Sequence, residues 1–190
     1  MTGPAGDRLP PFQILANASG LLTPEEMDGL IAEHASLQDK GLLGAGGVDP
    51  KIRRSRVALL KPDERHGWLY RRIWEGAGDM NRACFNVEVD SIGAVQIACY
   101  HADDEGHYDW HLDFSNLAPR RKISISVQLS DPADYEGGDL EFSLGDGFYK
   151  GEAARGTVIA FPSFVLHRVT PVTRGVRWSL VAWITGPRWR

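Results

Sequence analysis

Cysteine is almost missing from this sequence: Cys84 and Cys99 are the only two in 190 residues. With no C-x-x-C spacing they make neither a disulfide framework nor a cysteine-rich zinc site, and a reducing, cytoplasmic setting is expected. No run approaches the roughly 18 apolar residues of a membrane span. The opening "MTGPAGDRLPPF" lacks the charged-then-apolar order of a secretion signal. Basic residues are not in excess: 21 Lys and Arg stand against 25 Asp and Glu, a net charge of -4. That balance speaks against a sequence-independent nucleic-acid binder, because neutralising phosphates takes a basic surface. Internal repeats and low-complexity tracts are absent too. What is present, 43% hydrophobic and 24% charged residues, is the composition of a soluble globular chain. The length suits a single domain over residues 1–190 with its own core.

About residues 1–90 read as helical support and about 91–190 as a β core. The first dozen residues, rich in Pro and Gly, read as a loose lead-in. "LLTPEEMDGLIAEHASLQDKG" follows with a helix start: Thr23 at the N-cap, Pro24 at the first helical position and Glu26 completing a capping box. Leu30, Ile31, His34 and Leu37 continue at helical spacing, and Gly41 is the expected stop. "GLLGAGGVDP" reads as a flexible loop and "RRSRVALL" as a short strand. Pro62 is expected to open a second helix, with Trp68, Leu69, Ile73 and Trp74 as its apolar stripe.

From about Ile92 the character changes to short apolar or alternating runs broken by turn residues. "AVQIACY", "HYDWHLDF", "KISISVQLS", "DLEFSL", "GFYKGE", "GTVIAFP", "VLHRVTPV" and "VRWSLVAWITG" are eight candidate strands. Such spacing predicts a mainly β sandwich or barrel, with the helices packed outside. In "KISISVQLS", Ile123, Ile125, Val127 and Leu129 point one way and Ser124, Ser126, Gln128 and Ser130 the other.

Histidine is scarce enough to be followed one residue at a time. His34 and His66 fall in the helical third and are expected to be ordinary side chains there; His101, His107, His111 and His167 fall in the β region. "GHYDWHLDF" contains His-x-Asp twice, His107–Asp109 and His111–Asp113. On a strand, either pair sets an imidazole and a carboxylate on one face. With a distant third ligand in His167, either gives a two-His-one-carboxylate facial triad suited to Fe(II). His107 follows the charged stretch "ADDEG" and belongs to a loop end, so rigidity favours the second pair. Further on, Arg177 and Ser179 share a face of one strand. An arginine buried in a barrel is costly unless a carboxylate meets its planar fork. A pocket with these groups suits a metal and a dicarboxylic acid.

Three stretches together resemble the Fe(II)- and 2-oxoglutarate-dependent dioxygenases of the prolyl 4-hydroxylase-like group. They are "CYHADDEGHYDWHLDFS", "RRKISISVQLSDPADYEGGDLEF" and "GTVIAFPSFVLHRVTPVTRGVRWSLVAWI". The resemblance implies a double-stranded β-helix, a cupin-like jelly roll with supporting N-terminal helices. It assigns His111, Asp113 and His167 to the metal, leaving His107–Asp109 as a decoy. It places Arg177 and Ser179 at the distal carboxylate of 2-oxoglutarate, with Tyr100 and Tyr108 near the co-substrate. The glycines of "YEGGDLEF" match the family's tight turn, which sets Leu140 at the pocket wall.

The implied cofactors are Fe(II), 2-oxoglutarate as co-substrate and O2, with ascorbate admitted as an auxiliary. The implied reaction hydroxylates a side chain, proline in a peptide or protein first, and releases succinate and CO2. Alternatives are a hydroxylase of a free amino acid, small metabolite or alkylated base, the base made less attractive by the acidic balance. A cupin-like metal-binding module without oxygen chemistry is a further reading, as is a purely structural interaction domain. No membrane partner is expected. Trp110 and Trp178 are either substrate platforms or, more commonly for such rings, packing residues. "HADDEGHYD" reads as a solvated loop, or as an attraction for a cationic substrate. The basic clusters "KIRRSR" and "PRRK" either flank an acidic partner or balance charge.

Overall fold

The computed structural model describes residues 13–37, 49–145 and 147–188. The proposed lead-in, the Gly41 stop and most of the "GLLGAGGVDP" loop lie outside them. Among the described residues, twelve strands form two antiparallel sheets. In chain order they are β1 (Ala16–Ala18), β2 (Arg53–Arg54), β3 (Arg56–Leu60), β4 (Ser91–His101), β5 (His107–His111) and β6 (Arg121–Gln128). Then come β7 (Tyr135–Gly137), β8 (Leu140–Ser143), β9 (Phe148–Lys150), β10 (Val158–Pro162), β11 (His167–Val169) and β12 (Val172–Thr185). The larger sheet runs β1-β10-β6-β12-β4-β3, with β7 added to β12. The smaller runs β2-β5-β11-β8-β9. All eight expected strands form, in a mainly β jelly roll.

The larger sheet is buried on both faces, and strict alternation sorts its residues. Ile123, Ile125, Val127 and Leu129 of the β6 segment join Trp178, Leu180, Ala182 and Ile184 of β12 in one cluster with Leu69 and Ile73. Helices α1 (Pro24–Glu33) and α2 (Gly67–Met80) cover that face. A second apolar cluster, with Tyr100, Leu140, Phe142, Ile159, Phe161 and Val169, lies between the sheets. The polar set Ser124, Ser126, Gln128 and Ser130 therefore points inward without reaching solvent, and every member is buried.

The helix start is as expected. Thr23 Oγ1 accepts the Glu26 N–H at 3.2 Å, and Glu26 Oε2 accepts the Thr23 N–H at 2.8 Å. Other boundaries need correction. α1 ends at Glu33, before His34 and Leu37. α2 begins at Gly67 rather than Pro62, because Asp63 Oδ1 accepts the N–H groups of Arg65 and His66 and holds a turn there. Leu69 and Ile73 are fully buried, but Trp74 is 39% exposed and lies off the stripe. The N-terminal third is also not purely helical, since β1, β2 and β3 each take an edge of a sheet.

Candidate metal and co-substrate site

Strand β5 ends at His111. It pairs with β11 in a broken register: His167 lies opposite His111, while Val169 lies opposite Tyr108. Two steps of β11 thus span three steps of β5, a bulge at Asp109–Trp110. The bulge brings Tyr108 and His111 to one cleft although they are three apart, and their rings stack with centroids 3.4 Å apart. Asp113 reaches the cleft from the bend beyond the strand, not from the strand itself. Its position is fixed locally, as the Phe114 N–H donates to Ser163 O at 2.9 Å and Ser124 Oγ donates to Asp113 Oδ2 at 2.6 Å.

The donor atoms of His111, Asp113 and His167 all lie within 4.8 Å of one another. Nε2 of His111 is 3.7 Å from Asp113 Oδ1, and Nε2 of His167 is 3.6 Å from Asp113 Oδ2. Each imidazole is tied back through its other nitrogen: His111 Nδ1 to Asp109 O at 2.7 Å, His167 Nδ1 to Val165 O at 2.9 Å. That contact assigns the proton to Nδ1 and leaves the Nε2 lone pairs facing the carboxylate. Burial, with help from neighbouring His167, pushes His111 down to about 4. Burial pushes the Asp113 carboxyl up, but His167, His111 and the Ser124 hydroxyl outweigh it and hold it below the ordinary range. Two imidazoles that turn Nε2 toward a carboxylate are a donor set suited to a divalent first-row cation.

The other pair is not brought to the cleft. Both ring nitrogens of His107 sit against backbone carbonyls, Glu105 O at 2.8 Å and Lys51 O at 3.2 Å. Asp109 is exposed and accepts the Trp110 N–H at 2.8 Å. His34 and His66 lie at the α1–α2 junction, bonded to Leu30 O and the Glu33 carboxylate.

One cleft joins the triad to Tyr100, Tyr108, Leu140, Arg177 and Ser179. Arg177 is 2% exposed. Its Nη2 donates to Gln128 Oε1 at 2.8 Å, and its guanidinium carbon is 5.5 Å from the Tyr100 ring centre, Tyr100 being its partner across the β4–β12 ladder. No carboxylate among the described residues pairs with it. Gln128 is amidic where an ion pair would need an acid, so the buried guanidinium has a hydrogen-bond acceptor and no counter-charge there. Gly138 adopts φ +64°, and a Cβ there would come within 2.9 Å of Arg177 Cδ, so the Gly-Gly turn makes room for the arginine stem.

Ser124, Gln128 and Arg53 join the site although no motif marks them. The first two were signalled by a polar face on a strand whose other face is wholly apolar. Arg53 stands out in sequence only as part of the basic cluster "KIRRSR", with nothing local to set it apart from Arg54 and Arg56. Trp178 is a packing residue in the helix-side core, whereas Trp110 is half-buried and stacks on the exposed Phe148 with Arg168 over it.

The sequence model of the 2OG-Fe(II) oxygenase superfamily matches residues 95–185. A PKHD-type hydroxylase of Azoarcus sp. (strain BH72) is 34% identical over 174 residues, 86% of this chain and 74% of that protein. One from Teredinibacter turnerae is 38% identical over 173 residues, 83% and 76% of the two chains. Matches to two Synechococcus PKHD-type hydroxylases, 36% identical over 98 residues, take in 49% of this chain and only 43% of those relatives. Among solved structures, a Pseudomonas putida prolyl-4-hydroxylase superposes with a TM-score of 0.73 at 22% identity, covering 92% of this chain and 93% of that one. A Trichoplax adhaerens prolyl hydroxylase, solved with a hypoxia inducible factor peptide fragment, gives 0.74 at 18% identity over 91% and 84%. These structures share the fold. On the superfamily match and the two long alignments, the chain belongs to the 2OG-Fe(II) oxygenase superfamily.

Proposed function

We propose that this chain is an Fe(II)- and 2-oxoglutarate-dependent hydroxylase of a peptidyl side chain, proline first, releasing succinate and CO2. The observation that carries the reading is one cleft holding a converged His-Asp-His set and a buried, uncompensated arginine. His111, Asp113 and His167 would hold the metal, and the donor set fits it: two free Nε2 atoms and a carboxylate already ionised. Arg177 and Ser179 would bind the distal carboxylate of 2-oxoglutarate, with Gln128 orienting the guanidinium. When bound, Fe(II) with 2-oxoglutarate and O2 supplies the oxidising chemistry that no protein side chain possesses.

The chain's own contribution is positioning. The two backbone carbonyls fix the imidazole planes, and Ser124 fixes the carboxylate. Tyr108, stacked on His111, and Leu140 wall the cleft against water. A bare metal-binding module has no use for a buried Arg177, which favours the enzyme. The peptide substrate is supported by the peptide complex of the Trichoplax neighbour. A reducing, cytoplasmic setting belongs to the same proposal, supported by Cys84 and Cys99 both standing free. The test is succinate release on incubation with proline-containing peptides, together with the peptide's mass. A gain of one oxygen atom on proline supports the reading. Succinate release with no peptide oxidised at any residue refutes the peptidyl substrate.

A further inference from the structure

The two basic clusters divide in the same way. In "KIRRSR", Arg54 Nη1 donates to Glu105 Oε2 at 3.1 Å, and Arg56 pairs with Asp104. Those pairs take up two of the three carboxylates of the "HADDEG" loop, with Asp103 remaining exposed. Arg53 is different. It lies opposite Tyr108 on the β2–β5 ladder and turns into the cleft, its guanidinium carbon 4.6 Å from the Tyr108 ring centre. Its Nε donates to Ser55 Oγ at 2.7 Å, while its Nη2 is buried without a hydrogen-bond partner. In "PRRK", Arg120 takes Asp90 through two bonds of 2.6 and 2.8 Å. Arg121 instead lies 3.8 Å over the ring of Trp183, which lines the cleft, and donates from Nη1 to Asp113 O at 3.2 Å. Its one acidic neighbour among the described residues, Asp113 Oδ1, is 4.0 Å away and belongs to the triad.

We propose that Arg53 on the Tyr108 wall, assisted by Arg121 on the Trp183 wall, is a carboxylate-binding subsite. The substrate then carries an acidic group next to the oxidised residue. The inference rests on the proposed function for the position of the oxidised carbon. A buried guanidinium N–H without an acceptor is costly, so the ligand must bring one. Charge decides which acceptor. With the cleft loaded, the metal and Asp113 leave one positive charge, and 2-oxoglutarate with Arg177 leaves one negative charge. These cancel, so Arg53 and Arg121 stand uncompensated. A carboxylate answers that excess and matches the planar fork, whereas a neutral carbonyl answers only the missing hydrogen bond. A phosphate backbone fits less well: Arg54, Arg56 and Arg120 are spent on acids, leaving no basic strip for a polymer to follow.

The carboxylate has two sources, an acidic side chain beside the oxidised proline or the carboxylate of a terminal proline. Two isosteric pairs separate them: a blocked peptide with proline followed by aspartate against one with asparagine, and N-acetylproline against N-acetylprolinamide. Calorimetric titration into the intact chain loaded with Mn(II) and 2-oxoglutarate reads binding without turnover. Wild type is expected to bind the acidic member of one pair about tenfold or more tighter than its neutral isostere. Arg53→Gln is expected to lose that preference and Arg53→Lys to keep part of it, which separates charge from folding. Equal binding of acid and neutral partners in both pairs by wild type overturns the subsite. So does a preference that survives in Arg53→Gln. Failure of Fe(II) and 2-oxoglutarate to form a visible chelate would strike the underlying functional reading instead, and it is seen in a separate measurement.

Discussion

Replacing Ser124 by alanine removes one hydroxyl from a buried strand and should be felt at the metal. Ser124 is fully buried, and its Oγ donates to Asp113 Oδ2 at 2.6 Å while standing 3.0 Å from Ser163 Oγ. A hydrogen bond to a buried charged group contributes roughly 1.5–3 kcal/mol. At about 1.4 kcal/mol per factor of ten, its loss from the metal complex weakens metal binding by about 10- to 100-fold, the range usual for groups that orient a ligand. The hydroxyl also supports the apo carboxylate, so some of the loss appears as lowered stability. A chain of this size melts about 2–4 °C lower per kcal/mol. The assay is Fe(II) or Mn(II) binding in competition with a chromophoric chelator, without 2-oxoglutarate, alongside a melting curve. Ser163→Ala is the control, because it leaves the Ser124–Asp113 bond intact; its metal affinity should stay within about threefold of wild type. Unchanged metal affinity in Ser124→Ala would refute the idea that this hydroxyl aims the carboxylate.

Gln128→Leu should raise the 2-oxoglutarate requirement about tenfold by leaving Arg177 without its acceptor, and Gln128→Glu should abolish co-substrate binding by pairing with the guanidinium. Calorimetry with Mn(II)-loaded protein checks both, and equal affinity in the two variants would contradict the charge argument. Gly138→Ala forces φ +64° on a residue with a Cβ and drives that Cβ toward Arg177 Cδ and Val172 Cγ2, each 2.9 Å away. It should cost about 1–3 kcal/mol in chemical unfolding and weaken 2-oxoglutarate binding as well. Cys99 is buried, and burial pushes its thiol up to about 12, so the neutral form persists well above neutral pH. Thiol titration near pH 8 should leave Cys99 unmodified in the folded chain and modify it once denaturant is added.

The β core was legible because both faces of its strands obey simple rules. "KISISVQLS" shows its two faces by alternation alone, and "GVRWSLVAWI" shows Arg177 and Ser179 sharing one face. Less legible was anything depending on a partner distant in the chain. The bulge at Asp109–Trp110 arises from pairing with β11, so period-two reasoning could not show that Tyr108 and His111 share the cleft. The same reasoning put Asp113 on a strand that has already ended. Nor could local charge reading divide "KIRRSR", since Arg54 and Glu105 lie 51 residues apart and only the folded sheet introduces them. The late start of α2 was a competition between Pro62 as a helix opener and Asp63 as a turn former, won by the two hydrogen bonds that the Asp63 carboxylate accepts from the Arg65 and His66 N–H groups.

The most direct test is anaerobic addition of Fe(II) and 2-oxoglutarate to wild type, His111→Ala, His107→Ala and Arg177→Ala, followed by visible absorption. The chelate's charge-transfer band should appear in wild type and His107→Ala, vanish in His111→Ala, and need far more 2-oxoglutarate in Arg177→Ala. Iron binding by wild type without the band would contradict the account, and so would a band lost in His107→Ala but kept in His111→Ala.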